Sequence, residues 1–422
     1  MMLCAASIPA LDLDWGGTVD ATASGRFRAT DEDPVYAGRV RTALWLQGYQ
    51  RLDGGGSIDL FGSGSYTASE ERPHLFDVDL LRIGGTYPGA LGARSRLHAT
   101  AGRTLFRDPT GLVLHHRADG VALRLSYPRV DLRLSAAYTG LLASPLSSVR
   151  LSQSDYRELD DDSALFGPAR VIGMFELGLP NARAFVVAQS DLRRHGEDER
   201  ADTIDSQYFG IDLTSRLGRA LYWDNAAVVG TAQTTVGTAE DFLVSFLLTT
   251  GVRGFFEEAR FSRLGVRLLY TSPYLPLEFT EADDGFDLEL LVGEFRPITE
   301  PSLGLVFTPR LANLAFAEVD YAVRPFAGRA RTAADDLQAT VAGRAFFRSY
   351  TGDTDYLERL EPDSRHPYLG TEIEAGVRLR VLHDIGAGFR AGVFLPGIAP
   401  AGAFSSERGS EWMLRLDLST AF

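Results

Sequence analysis

The last twelve residues, Glu411 to Phe422, read EWMLRLDLSTAF. Trp412, Leu414, Leu416, Leu418, Thr420 and Phe422 fall on one side of an extended strand, and Glu411, Met413, Arg415, Asp417, Ser419 and Ala421 on the other. Side chains alternate faces along a strand, so one face is apolar, the other is charged, and the chain stops at an aromatic. A soluble sandwich strand can alternate in this way. What decides between the two is the recurrence of the pattern along almost the whole chain.

Working backwards, Glu372, Glu374, Arg378 and Arg380 alternate with Ile373, Ala375, Val377 and Leu379. Val121, Leu123 and Leu125 alternate with Arg124 and Ser126, and Leu132 and Leu134 alternate with Asp131, Arg133 and Ser135. Strand-like segments follow one another from Leu11 with no convincing helix between them. They include Leu11–Arg28, Tyr36–Arg51, Ser57–Ala68, Leu75–Tyr87, Phe286–Phe295, Ser302–Thr308 and Leu314–Val323. About 20 segments can be drawn, and merging the weakest gives an expected wall of about 18 strands (16 to 20), an even number as in bacterial barrels.

Connection lengths alternate as well. Short turns fall at 53–56, 88–91, 128–129, 180–182, 217–220 and 383–385, and longer polar loops at 106–119, 143–166, 193–204, 271–284, 350–367 and 396–410. Short turns require antiparallel neighbours. Short turns at one end and long loops at the other are the arrangement of an outer-membrane barrel, with the turns periplasmic. The alternation breaks at 296–336. There Thr308-Pro309-Arg310 looks like a tight turn on the long-loop side, and Phe326–Asp336 looks like a loop on the short-turn side.

Composition is compatible with this reading without proving it. The 422 residues are 45% hydrophobic and 23% charged, with a formal charge of −14. No apolar run reaches the roughly 18 residues of a membrane-spanning helix, but only every second residue of a barrel strand faces lipid. The 43 Gly, 25 Phe, 15 Tyr and 4 Trp suit tight turns and aromatic girdles. All 42 basic residues are Arg. Cys4 is the only cysteine, so neither a disulfide nor a cysteine-based metal site can form. Residues 1–10, MMLCAASIPA, resemble the tail of a secretory signal, leaving 11–422 as one barrel domain.

A soluble chain of this length is expected to split into domains beyond about 250–300 residues, and no linker or fixed repeat is visible. In lipid every backbone polar group must be paired internally, so the sheet must close. An Arg near the midplane of the lipid face costs about 2–4 kcal/mol, so the charged faces must line a wet lumen. The expected fold class is therefore all-β, a single transmembrane antiparallel barrel.

The terminal Phe422 with Leu418 and Leu416 at alternating positions resembles the assembly signal of outer-membrane barrels, Thr420 departing from it. Two blocks resemble the alginate-export-type barrels and related porin-like proteins. One runs from Gly102-Arg103 through Asp108 and Asp119-Gly120-Val121 to Tyr138-Thr139-Gly140-Leu141; the other is Tyr368 to Glu374 with Gly392 to Gly397. The resemblance covers about a quarter of the chain and implies a porin-like fold, outer-membrane lipid around it and the barrel-assembly machinery as a partner. It does not establish alginate as cargo.

The function expected is a channel for small polar or anionic solutes or an acidic polysaccharide. The candidate pore liners are Arg124, Arg133, Glu372, Glu374, Arg378, Arg380, Arg415 and Asp417, acting by lumenal charge. The alternative for any of them is simple pairing and solvation of the wall. The apolar stretch Tyr270 to Leu277 is a loop that can fold inward or join the rim girdle. A rim enzyme is the second reading, with His115-His116 the only histidine cluster and Asp108 and Asp119 nearby. A third histidine-site ligand is missing, so no metal, cofactor or catalytic residue is expected, and no nucleic-acid partner. A transporter of hydrophobic compounds or a structural surface barrel such as an adhesin is the third reading; the transporter needs a plug, and strands begin by about Leu11, while an adhesin needs longer exposed loops.

Overall fold

A computed structural model describes residues 12–29, 33–70, 74–141, 149–150, 167–192, 203–236, 239–279, 288–328, 333–351, 360–361 and 364–422. The leader-like segment 1–10 and the acidic stretches 158–162 and 196–202 lie outside the described residues.

The first thirteen strands run in chain order. They are β1 (Asp12–Arg28), β2 (Val35–Arg51), β3 (Ser57–Ser69), β4 (Leu75–Pro88), β5 (Arg96–Arg107), β6 (His115–Ser126), β7 (Asp131–Tyr138), β8 (Arg170–Leu179), β9 (Ala182–Asp191), β10 (Thr203–Arg216), β11 (Leu221–Val236), β12 (Ala239–Phe256) and β13 (Ser262–Thr271). A hairpin follows, β14 (Leu275–Phe279) and β15 (Leu288–Val292), and then β16 (Leu314–Val323), β17 (Gln338–Arg348), β18 (Tyr368–Arg380), β19 (Ile385–Pro396) and β20 (Glu411–Ala421). Each wall strand pairs antiparallel with the next, β13 pairs directly with β16, and β20 returns to β1. Eighteen strands therefore close the barrel, with β14 and β15 outside its ring.

The seam is formed by the strand that opens the sequence reading. Thr18 pairs with Ala421 and Arg28 with Glu411, in unbroken register. Gly17 and Phe422 exchange both backbone hydrogen bonds, each 3.0 Å. A Cβ on Gly17 would stand 2.5 Å from the Phe422 ring, so the glycine is what lets the terminal aromatic lie across the seam.

Two expected strands are not in the wall. Phe286–Phe295 contains β15, which pairs with β14 and touches β12 only at Leu243 and Val244, in parallel. Ser302–Thr308 is not a strand. Leu303, Val306 and Phe307 are buried, so their apolar character serves an interior contact and not a lipid face. Removing both segments repairs the broken alternation: 272–313 becomes one connection at the long-loop end, and 324–337 one connection at the turn end. The expected loop 106–119 is also shorter than read, since β5 runs to Arg107 and β6 starts at His115.

The exterior is an apolar belt. Leu44 and Leu46 on β2, Leu81 and Ile83 on β4, Ile211 and Leu213 on β10, and Leu416 and Leu418 on β20 all stand exposed. A continuous apolar surface of this extent is not tolerated in water and is the lipid face of a barrel. Tyr36, Phe76 and Trp412 are exposed toward the loop end, and Trp15, Trp223, Phe256 and Phe422 toward the turn end, which gives two aromatic girdles.

Candidate functional site: a loop-crossed, charge-paired lumen

A barrel of 18 strands is too wide for wall side chains to fill. Part of the interior is filled instead by residues 293–313 of the connection that follows β13. Its neck is tied at Ser272, whose carbonyl accepts N–H bonds from Phe295 and Asn313, while the Ser272 hydroxyl donates to the Gly293 carbonyl at 2.8 Å. From there the segment crosses the lumen. At one side Thr299 N–H donates to the Val113 carbonyl, Arg150 N–H to the Ile298 carbonyl, and the Tyr208 hydroxyl to the Arg296 carbonyl. At the other side, Arg26 on β1 donates to the Val306 carbonyl at 2.7 Å. Since β10 and β1 lie on opposite arcs of the ring, the segment is a partition. Of the stretch Tyr270 to Leu277, Tyr270 belongs to wall strand β13 and stacks on Phe246, and Leu275 opens β14; the part that crosses the lumen is 293–313.

Glu372 on β18 holds the partition in place. Its carboxylate accepts the N–H groups of Leu305 at 2.8 Å, Val306 at 3.1 Å and Phe307 at 2.7 Å, and a bond from Arg344 at 3.0 Å. Bonds to a charged acceptor are the strong kind. The approach requires Gly304, where a Cβ would fall 2.6 Å from a Glu372 oxygen and 2.4 Å from the Phe307 carbonyl. Beside it, Phe307 stacks on Phe394 at 4.2 Å and meets Phe346 edge-on at 5.1 Å. Arg408 lies 4.2 Å over the Phe404 ring and binds Glu411 at 3.0 Å. The loop 108–114 is fixed independently: buried Asp108 accepts the N–H groups of Thr110, Gly111, Val113 and Leu114.

A cavity of about 660 Å³ remains between the tip of that loop (Pro109, Thr110, Leu112) and the inner wall from β9 to β18. Its wall is a series of cross-strand ion pairs. Arg183 binds Asp212 at 2.6 Å, Arg253 binds Asp224 at 2.6 Å, Arg263 binds Asp320, and Arg267 binds Glu318 at 2.6 Å. Arg344 joins Glu318, Glu372 and Glu374 at 2.9, 3.0 and 2.9 Å. Such pairs follow from register. Where two strands lie side by side, inward residues meet directly across the ladder, as Arg183 with Asp212 and Arg267 with Glu318, or diagonally, as Arg253 with Asp224 and Arg263 with Asp320, within reach of an Arg–carboxylate hydrogen bond. This cluster was not singled out in the sequence, because partners such as Arg267 and Glu318 are separated by the whole crossing segment.

The candidates named from the sequence separate into groups. Glu374 borders the cavity. Glu372 faces inward but is fully buried beneath the crossing segment. It is therefore an anchor and not an open pore liner, because three backbone donors and Arg344 occupy its carboxylate. Arg378 and Arg380 are exposed near the turn end of β18 and form no ion pair among the described residues. Arg415 binds Asp417 at 2.8 Å, and Arg390 approaches Asp417 at 3.5 Å. Arg124 binds Asp131 at 2.9 Å, and Arg133 lies in register with Glu176. These last two are on β6 and β7, half a circumference from β18. Leu416 and Leu418 are on the outer face, and Phe422 is 63% exposed at the seam. His115 and His116 open β6 and do not sit in a loop, His116 being buried. No group of metal ligands occurs among the described residues.

No family model matches the chain and no curated protein is similar to it. Solved structures are. OccK1 (OpdK) of Pseudomonas aeruginosa aligns with a TM-score of 0.57 at 11% identity, covering 97% of this chain and 98% of that one. OccK5 (OpdH) of the same organism aligns at 0.57 and 10%, with 97% and 98% covered, and OpdL at 0.56 and 12%, with 97% and 99% covered. OpdK has also been solved with vanillate. The likeness is one of fold, and it does not establish the alginate-export resemblance. The chain has the closed, apolar-belted, 18-stranded fold of these bacterial outer-membrane proteins.

Proposed function

We propose that the protein is a passive outer-membrane channel for small polar solutes, with the turn end periplasmic. The observation that carries this is the crossed lumen. A barrel this wide encloses a charged cavity of about 660 Å³, a volume in the range of small-molecule sites, while the anchored segment 293–313 narrows the rest. Arg133, Glu374, Arg378, Arg380, Arg415 and Asp417 then line or approach the path, with Arg124 at its turn-end mouth. The solved complex of OpdK with vanillate supports a small carboxylate as one permeant. A polysaccharide would have to thread past a partition tied to opposite sides of the wall, so small solutes are favoured over polymers.

The test is single-channel recording in planar bilayers with purified protein. Discrete conductance steps with ohmic current are expected. A correctly folded barrel that passes no current removes the channel reading and returns weight to a rim enzyme or a structural barrel.

A further inference from the structure

The ion pairs around the cavity are arranged in stripes. The adjacent strands β10 and β11 carry Asp212 and Asp224, and the next two, β12 and β13, carry Arg253, Arg263 and Arg267. Neighbouring strands lie about 4.8 Å apart, so the two stripes are centred about 10 Å from each other. All five side chains border the same cavity, whose full lining holds six Arg and five carboxylates. The carboxylates are engaged by Arg, yet the side chains of Arg253, Arg263 and Arg267 remain 48, 45 and 42% exposed and Asp224 28%. A guanidinium has five N–H donors, so donors are left for a solute. The side opposite contributes the uncharged loop tip, Pro109, Thr110 and Leu112, and one cation, Arg107, whose guanidinium lies against Gly111.

We propose, building on the channel reading above, that this cavity selects small zwitterions, solutes bearing one ammonium and one carboxylate, over simple anions or cations. The reason is electrostatic. A single ion beside the wall is attracted by one stripe and repelled by the other, and the near-balanced lining offers no net compensation for lost hydration. A solute with two separated charges can place its carboxylate on the basic stripe and its ammonium on the acidic one and gain from both. Each interaction scales as 1/r and is strengthened where the wall displaces water.

The test uses the purified full chain in liposomes and bilayers, with γ-aminobutyrate, butyrate and butylammonium as size-matched probes. Wild type is expected to show a reversal potential near zero in a KCl gradient and to pass γ-aminobutyrate severalfold faster than either singly charged probe. The double variant Asp212→Asn/Asp224→Asn is expected to shift anion-over-cation permeability roughly tenfold, the size two unit charges produce at close range in a poorly screened lumen, and to erase the zwitterion advantage. The exchange Asp224→Arg/Arg253→Asp keeps net charge and pairing, and is expected to lower the advantage without changing ion selectivity; heat-modifiable gel mobility verifies that each variant is folded. A strongly anion-selective wild type, or an advantage untouched in both variants, overturns this proposal alone. An electrically silent wild type overturns the channel reading and this proposal with it.

Discussion

Replacing Glu372 should release the partition while leaving the barrel standing. The carboxylate is fully buried and accepts three backbone N–H bonds and one guanidinium bond. Removing one partner of such a buried charged contact costs about 3–5 kcal/mol. The loss falls on the loop, because β18 keeps its backbone pairing to β17 and β19, and Arg344 keeps Glu318 and Glu374. What remains to hold Phe307 is its contact with the Phe394, Phe346 and Phe404 rings and with the Arg408 guanidinium above it, and each aromatic pair contributes about 0.5–1.5 kcal/mol beyond its area. A loss of about 4 kcal/mol raises the population of a detached segment by about three orders of magnitude, at 1.4 kcal/mol per tenfold. Glu372→Ala is therefore expected to show a larger or strongly flickering conductance in single-channel records, with unaltered heat-modifiable mobility. Glu372→Gln retains one acceptor oxygen and should lie between the two. If Glu372→Ala keeps the wild-type conductance and open-channel noise, the carboxylate does not hold the partition and the reasoning fails.

Three further outcomes follow from the same geometry. Gly304→Ala places a methyl against Glu372 and the Phe307 carbonyl, and is expected to reproduce the Glu372→Ala noise in milder form; a silent substitution would show that the loop has slack there. Arg378→Gln/Arg380→Gln removes two charges near the turn end of β18 that form no ion pair among the described residues. It should lower anion current at 0.1 M salt, where the Debye length is about 10 Å, and have little effect at 1 M, where it is about 3 Å; a loss that persists at high salt would point to a structural effect. Glu300 sits on the crossing segment near Arg150, Arg296 and Arg310, and burial raises its pKa above the ordinary carboxylate value. Burial and the neighbouring Arg296 hold Arg150 down to about 10, which still leaves it protonated at neutral pH. Lowering the pH thus discharges Glu300 before ordinary carboxylates and leaves the arginines uncompensated. Anion preference should rise as the pH falls toward the ordinary carboxylate range, and Glu300→Gln should show the raised preference already at neutral pH and lack that step.

Much of the wall was legible from residues alone. The alternation of Leu414, Leu416 and Leu418 with Arg415 and Asp417 on β20 assigns faces because a strand has a period of two, and the structure places each as that period requires. Closure of the sheet followed from the same pattern, since lipid allows no unpaired edge. The disturbed alternation at 296–336 marked the right place without revealing its meaning. Leu303, Val306 and Phe307 are apolar because they are buried against Phe346, Phe394 and Phe404, and burial inside a protein selects the same residue types as burial in lipid. Local sequence thus could not separate a wall strand from an inward segment. The identity of Glu372 as an anchor, the cross-strand pairing of Arg267 with Glu318, and the stripes of β10 to β13 were set only by tertiary structure. Period and polarity say which way a side chain points, whereas register and the path of the loop decide what it meets.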